Sequence, residues 1–250
     1  MRLFLHELAA QQRLYWRSRE AAFFTFVMPL VFLVLIGSVY GSGEVDGIRG
    51  STYLLAGLLG YSVIATAFAG LAITLVVRRE SGVLKRVRGT PLPTATFLAA
   101  VIGSTLVVIA LGSIAQLLVG RFVVDAGWPS RPGELAVALL VGAACFAALG
   151  LAITGLIRSA EGSSALVNAI YLPLVFISGV FFSVDSLPGF LQAVAEISPL
   201  TYLLRLVREC VVAGGEGLGG ALEAIAVLAG WGLAGLVLAV RMFRWEPREA

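Results

Sequence analysis

Six apolar runs, at residues 22–40, 52–77, 96–120, 135–157, 164–182 and 221–240, each come close to the roughly 20 residues that a helix needs to cross about 30 Å of hydrocarbon. They predict an all-α integral membrane protein with six transmembrane helices. The polar stretches between them are each too short to bury a core of their own, so residues 22–250 read as one six-helix domain preceded by segment 1–21. Composition agrees: 13% of residues are charged, against the ~25% usual in soluble domains.

Segment 1–21 carries Arg2, His6, Arg13, Arg17 and Glu20 on one side of a helical wheel. Phe4, Leu5, Leu8, Tyr15 and Trp16 lie on the other. Such a helix rests in the membrane interface. A signal peptide fits poorly, because the basic region is long and the apolar run after it is long enough to remain as a span. Placing this segment in the cytoplasm puts Arg2, Arg13, Arg17, Arg19, Arg78, Arg79, Lys85, Arg86, Arg88, Arg158, Arg241, Arg244 and Arg248 inside, and leaves Arg49, Arg121, Arg131, Arg205 and Arg208 outside. Basic residues favour the cytoplasmic side, so this orientation is selected and both termini are expected in the cytoplasm. Because they sit beside spans rather than in one patch, nucleic-acid binding is not implied. Cys145 and Cys210 read as buried small hydrophobes rather than a disulfide.

The stretch Ser163 to Arg208 changes character twice. Its apolar part is followed by Asp185-Ser186-Leu187-Pro188-Gly189, where Pro and Gly stop a helix. Two short helical patterns then flank a break at Ser198-Pro199. Leu187, Leu191 and Val194 share a face of the first, and Leu200, Leu203, Leu204, Val207 and Val211 a face of the second. Each pattern runs roughly 10 to 14 residues, about half the hydrocarbon thickness, so neither crosses alone. The expectation is an outer, re-entrant hairpin over 184–212, its irregular backbone covered by protein or water. Thr201, Arg205, Arg208 and Val212 share the face opposite the leucines, which would let the arginines reach water, Glu196 or Glu209.

Between the second and third spans, loop 78–93 reads Arg-Arg-Glu-Ser-Gly-Val-Leu-Lys-Arg-Val-Arg-Gly-Thr-Pro-Leu-Pro. Ser81 to Arg88 is a short basic helix with Val83, Leu84 and Val87 on one side, stopped by Gly89 and two prolines. Read alone, these charges are equally suited to holding the loop in the cytoplasm. The ordered residues Ile177-Ser178-Gly179-Val180-Phe181-Phe182, Leu187-Pro188, Ile197-Ser198-Pro199-Leu200-Thr201-Tyr202 and Arg208 resemble the C-terminal signature of the ABC-2 type exporter permeases. The loop is similar to that family's loop between spans two and three. The resemblance implies a docking surface of Arg79, Glu80, Leu84, Lys85, Arg86 and Arg88 for a cytoplasmic nucleotide-binding ABC ATPase subunit, and a hairpin involving Pro188, Ser198, Pro199, Tyr202, Arg205 and Arg208. It also implies two ATPase copies carrying ATP and Mg, a second permease protomer forming a homodimer set in membrane lipids, and a cell-membrane location.

The chain itself offers no site for such fuel. A P-loop needs G-x-x-x-x-G-K-[ST], yet Lys85, the sole lysine, stands between Leu84 and Arg86. One histidine, His6, excludes a paired-histidine zinc site. No G-x-S-x-G elbow marks a hydrolase, and mid-span carboxylates, the usual relays of proton-coupled carriers, are absent. Gln116, Asn168, Phe181 and Phe182 are expected either to make interhelical contacts or to line a substrate path. Ala138 and Gly142, and Ala226, Gly230 and Ala234, are small residues at four-residue spacing that would let helices approach closely. The expected function is the permease of an ATP-driven exporter, moving a hydrophobic or amphiphilic substrate such as a drug-like molecule or lipid. The alternative is a stand-alone passive or ion-coupled carrier.

Overall fold

The computed structural model describes residues 1–40 and 43–242, so Arg244 and Arg248 lie outside the described residues. Helix α1 (Arg2–Arg17) is followed by α2 (Arg19–Tyr40), a two-stranded ribbon of β1 (Glu44–Val45) and β2 (Ile48–Arg49), and α3 (Gly50–Val63). A π-helical stretch, Ile64–Gly70, joins α3 to α4 (Leu71–Glu80), so the second span is one 31-residue helix. Then come α5 (Val83–Arg88), α6 (Thr94–Val123), α7 (Pro132–Thr154), α8 (Ala160–Ile177), α9 (Gly189–Ile197), α10 (Pro199–Val211) and α11 (Leu222–Met242). Among the described residues, six helices are long and apolar enough to cross a membrane. The chain is a multi-pass membrane protein.

The turn between β1 and β2 has both central residues, Asp46 and Gly47, at positive φ, the geometry that suits the twist of a two-residue hairpin. It delivers the chain directly into the second span, which is the centre of the bundle. Nearly every residue of α3 is buried. Its glycines let other elements approach backbone to backbone: at Gly57 a Cβ would run into the Val180 carbonyl. On α7, a Cβ at Gly150 would lie 2.9 Å from the Ala67 carbonyl oxygen and 3.0 Å from that of Phe68, so α7 seats directly against the π stretch.

The fourth and fifth spans depart from the apolar runs for physical reasons. The fifth span occupies Ala160–Ile177 rather than 164–182. Ser159 caps its start, accepting from the Gly162 N–H at 3.2 Å, and Gly179 at φ +89° leaves the helix within the apolar run. The fourth begins at Pro132, whose fixed φ suits a first helical position, and ends at Thr154 rather than 157. On the sixth span the stripe of Ala226, Gly230 and Ala234 is exposed. Instead, buried Gly235 brings α11 against the Ala148–Leu149 backbone of α7, with Ala224, Leu228 and Ala239 buried alongside. Gly142 does serve close packing, against the Leu203 side chain of α10. Both cysteines are free and buried.

Candidate functional site

The second span joins two sites, one at each end. At its start, Tyr53 donates its hydroxyl to the Gly179 and Phe182 carbonyls, each at 3.1 Å, and Tyr40 donates to the Phe181 carbonyl at 2.7 Å. These bonds hold residues 179–182 of the connector between α8 and α9, whose carbonyls lie outside any helix; a 3-10 turn, Val184–Ser186, follows them. Arg208 completes the clamp. Its guanidinium carbon lies 3.9 Å from the Tyr53 ring centroid, and Nη2 donates to the Gly179 carbonyl. Sequence periodicity placed Arg208 toward water, Glu196 or Glu209; it turns inward because an aromatic face and a bare carbonyl lie within its reach. Thr201, expected on the same polar face, is also buried, and Arg205 alone of the three points outward, 5.1 Å over Tyr202.

α9 and α10 meet at 79°. Ser198 caps α10 by accepting from the Leu200 N–H at 3.2 Å, and Pro199 occupies the first helical position. The Ser198 hydroxyl also bonds that of Ser178 at 2.8 Å, pinning the bend to the connector. Leu200, Leu203, Leu204, Val207 and Val211 are all buried. Pro188 precedes α9 and is exposed. Leu191 is half-buried, whereas Phe190, Val194 and Ile197 face outward. Phe181 packs between Phe32 and Phe176, with centroids 6.2 and 5.8 Å away, while Phe182 is exposed.

Replacing Arg208 with Gln removes the cation over Tyr53 and a charged hydrogen bond, a loss of about 2–3 kcal/mol. Tyr53→Phe keeps the ring and removes one hydroxyl proton shared between two carbonyls, so it should cost about half as much. Thermal unfolding in detergent should rank the two in that order.

At the far end, α4 stops where Gly82 takes a left-handed conformation, φ +70°. This turns α5 so that Leu84 is buried and Lys85, Arg86 and Arg88 are exposed. Arg79, expected with those cations, faces inward and is 2% exposed. It donates to the Thr154 carbonyl at 2.9 Å and the Ile157 carbonyl at 2.8 Å, and pairs with Glu80 at 3.1 Å. Its charge thereby sits on the carbonyl end of α7, where the helix dipole favours a cation. Arg79 and Glu80 flank the exposed cations of α5 and tie them to the turn after α7.

Midway, Gln116 donates to the Ser62 hydroxyl at 2.8 Å and to the Gly112 carbonyl at 3.3 Å, so it makes an interhelical contact. Asn168 is half-buried and makes no side-chain hydrogen bond among the described residues. Tyr40, Tyr53, Gly57 and Ser62 were missed by motif reasoning. The two nearby glycines, Gly57 and Gly60, were the available signal for a close backbone approach beside Tyr53.

Residues 2–212, through the end of α10, match the family model described as "ABC-2 type transporter". The chain belongs to this family. Its relatives are similar at modest identity over most of both chains. The inner membrane transport permease YadH of Escherichia coli (strain K12) is 24% identical over 193 residues, covering 72% of each protein. Nodulation protein J of Rhizobium meliloti (strain 1021) is 29% identical over 186 residues, 72% of this chain and 70% of the relative. The daunorubicin resistance ABC transporter permease protein DrrB1 of Streptomyces coeruleorubidus is 29% identical over 194 residues, 73% and 65% of the two. As a member of the ABC-2 family, the chain is a membrane permease component of an ABC transporter, and the family implies an ATP-binding cassette partner.

Proposed function

We propose that this permease exports a hydrophobic or amphiphilic cargo, driven by ATP hydrolysed on a separate cytoplasmic subunit that docks on α5. The observation that carries the reading is the exposed Lys85, Arg86 and Arg88 on a helix anchored through Leu84 and flanked by the buried Arg79. A helix that served only to retain its loop by charge would need no such anchorage. Two ATPase copies, holding ATP and Mg, act on a homodimer in the cell membrane, with both termini cytoplasmic. α1 lies in the cytoplasmic interface and the α9–α10 hairpin enters from the outer side. DrrB1, named for daunorubicin resistance, supports an amphiphilic drug-like cargo.

Charge reversal tests the docking assignment. Lys85→Glu combined with Arg86→Glu should lower co-purification of the ATPase subunit about tenfold, equivalent to about 1.4 kcal/mol, while membrane insertion is unchanged. Loss of insertion with ATPase binding retained would return these residues to a retention role.

A further inference from the structure

A cavity of about 270 Å³ with a partly polar lining lies between α1, the start of α2, the second span and α6. Thr66, Gly70, Thr74 and Arg78 line it from the second span, at four-residue spacing. Tyr15 and Thr25 face it from the N-terminal helices, and Ser104 and Thr105 from α6. Polar side chains inside a membrane bundle are costly and normally find partners within it. Thr105 follows this rule, donating to the Val101 carbonyl at 3.1 Å, and the Ser104 hydroxyl accepts from Gln12 at 2.9 Å. Thr66 and Thr74 do not: both are half-buried, line the cavity and have no hydrogen-bond partner among the described residues.

Arg78 is the one charged side chain of the lining among the described residues. Its Nη1 donates to Gln11 Oε1 at 2.7 Å, and Gln11 Nε2 donates to Glu7 Oε1 at 2.6 Å. Gln11 thus fixes the guanidinium while Glu7 stays out of the cavity. Arg78 lines the cavity beside hydroxyl donors, with no carboxylate among its described lining residues. That is the donor set a phosphate takes. Leu14, Ala65, Val101 and Val108 complete the wall, which gives apolar surface where the glycerol and first methylenes of a lipid would lie, and basic pockets between spans suit anionic headgroups.

We propose that this cavity binds the phosphate-bearing headgroup of an anionic phospholipid, with Arg78 as counter-ion and Thr66 and Thr74 as hydroxyl partners. The site rests on the interfacial placement of α1 and on no particular cargo. It is tested by native mass spectrometry of the full chain in detergent, titrated with dioleoylphosphatidylglycerol or dioleoylphosphatidylcholine. Binding of the anionic lipid should be about fivefold tighter. Arg78→Gln should abolish that preference, and Arg78→Lys should keep part of it. Thr66→Val with Thr74→Val, which leaves the α1 contacts intact, should weaken the anionic lipid with no change in melting temperature, and this pair carries the test if Arg78→Gln fails to fold. Equal binding of the two lipids, or a preference that survives in both Arg78→Gln and the threonine pair, would overturn the proposal. So would displacement of the lipid by millimolar inorganic phosphate, which would make the site one for a free anion. Because the measurement needs no ATPase subunit and no transport, its failure is separate from any failure of the exporter reading.

Discussion

Arg79→Met should be among the most damaging single substitutions in the chain, at roughly 2–6 kcal/mol. The side chain is almost fully buried and donates to two carbonyls, those of Thr154 and Ile157, that have been taken out of water. Each acceptor left unpaired costs about 1–3 kcal/mol, and Glu80 loses its partner as well. Methionine fills much of the volume, so the loss reflects polar pairing rather than a cavity. Arg79→Lys keeps the charge but replaces a planar fork reaching two carbonyls with a single ammonium, and should recover only part of the stability. Scanning calorimetry or fluorescence-detected melting of the purified chain measures both. A melting temperature for Arg79→Met within a degree or two of wild type would remove this tie between α4 and the turn after α7 from the account.

Gly57→Val should be at least as severe, roughly 4 kcal/mol or more, because its Cβ would occupy the position of the Val180 carbonyl oxygen. Backbone obstructs here, not the flexible end of a side chain, so relief requires α3 and the connector to move apart. That movement would also stretch the Tyr53 bonds to Gly179 and Phe182. The expected result is loss of monodisperse protein on size exclusion in detergent. Gly230→Val, on the exposed side of α11 where a Cβ meets nothing within 4 Å, should be tolerated.

The six spans were legible because hydrocarbon demands long apolar runs, and the α9–α10 bend because Ser198 and Pro199 are a cap and a first-turn residue. What the sequence concealed follows from the same physics. Residues 178–182 are as apolar as a span, so hydropathy continues through the point where Gly179 turns and the Tyr53–Arg208 clamp takes over. Arg79 and Lys85 belong to one charge run, and only burial separates the residue that holds two carbonyls from the one that faces solvent. Arg208 sits on the same wheel face as Arg205, but the partner that draws it inward, Tyr53, lies more than a hundred residues earlier. The π stretch Ile64–Gly70 has no signature beyond small and apolar residues. Its reason is tertiary, the approach of Gly150. On α11 two stripes of small residues compete, and composition gave no ground for preferring the one that packs on α7.

The central claim is that the second span links helix α5, the proposed docking surface, at one end to the α8–α9 connector at the other. It is tested most directly by labelling Pro188→Cys, in a Cys145→Ala and Cys210→Ala background, with an impermeant maleimide added outside proteoliposomes that contain the permease and its ATPase subunit. The labelling rate should change when ATP is supplied inside, and that change should vanish in Lys85→Glu with Arg86→Glu. A rate indifferent to ATP, or an ATP response that survives the charge reversal, would contradict the account.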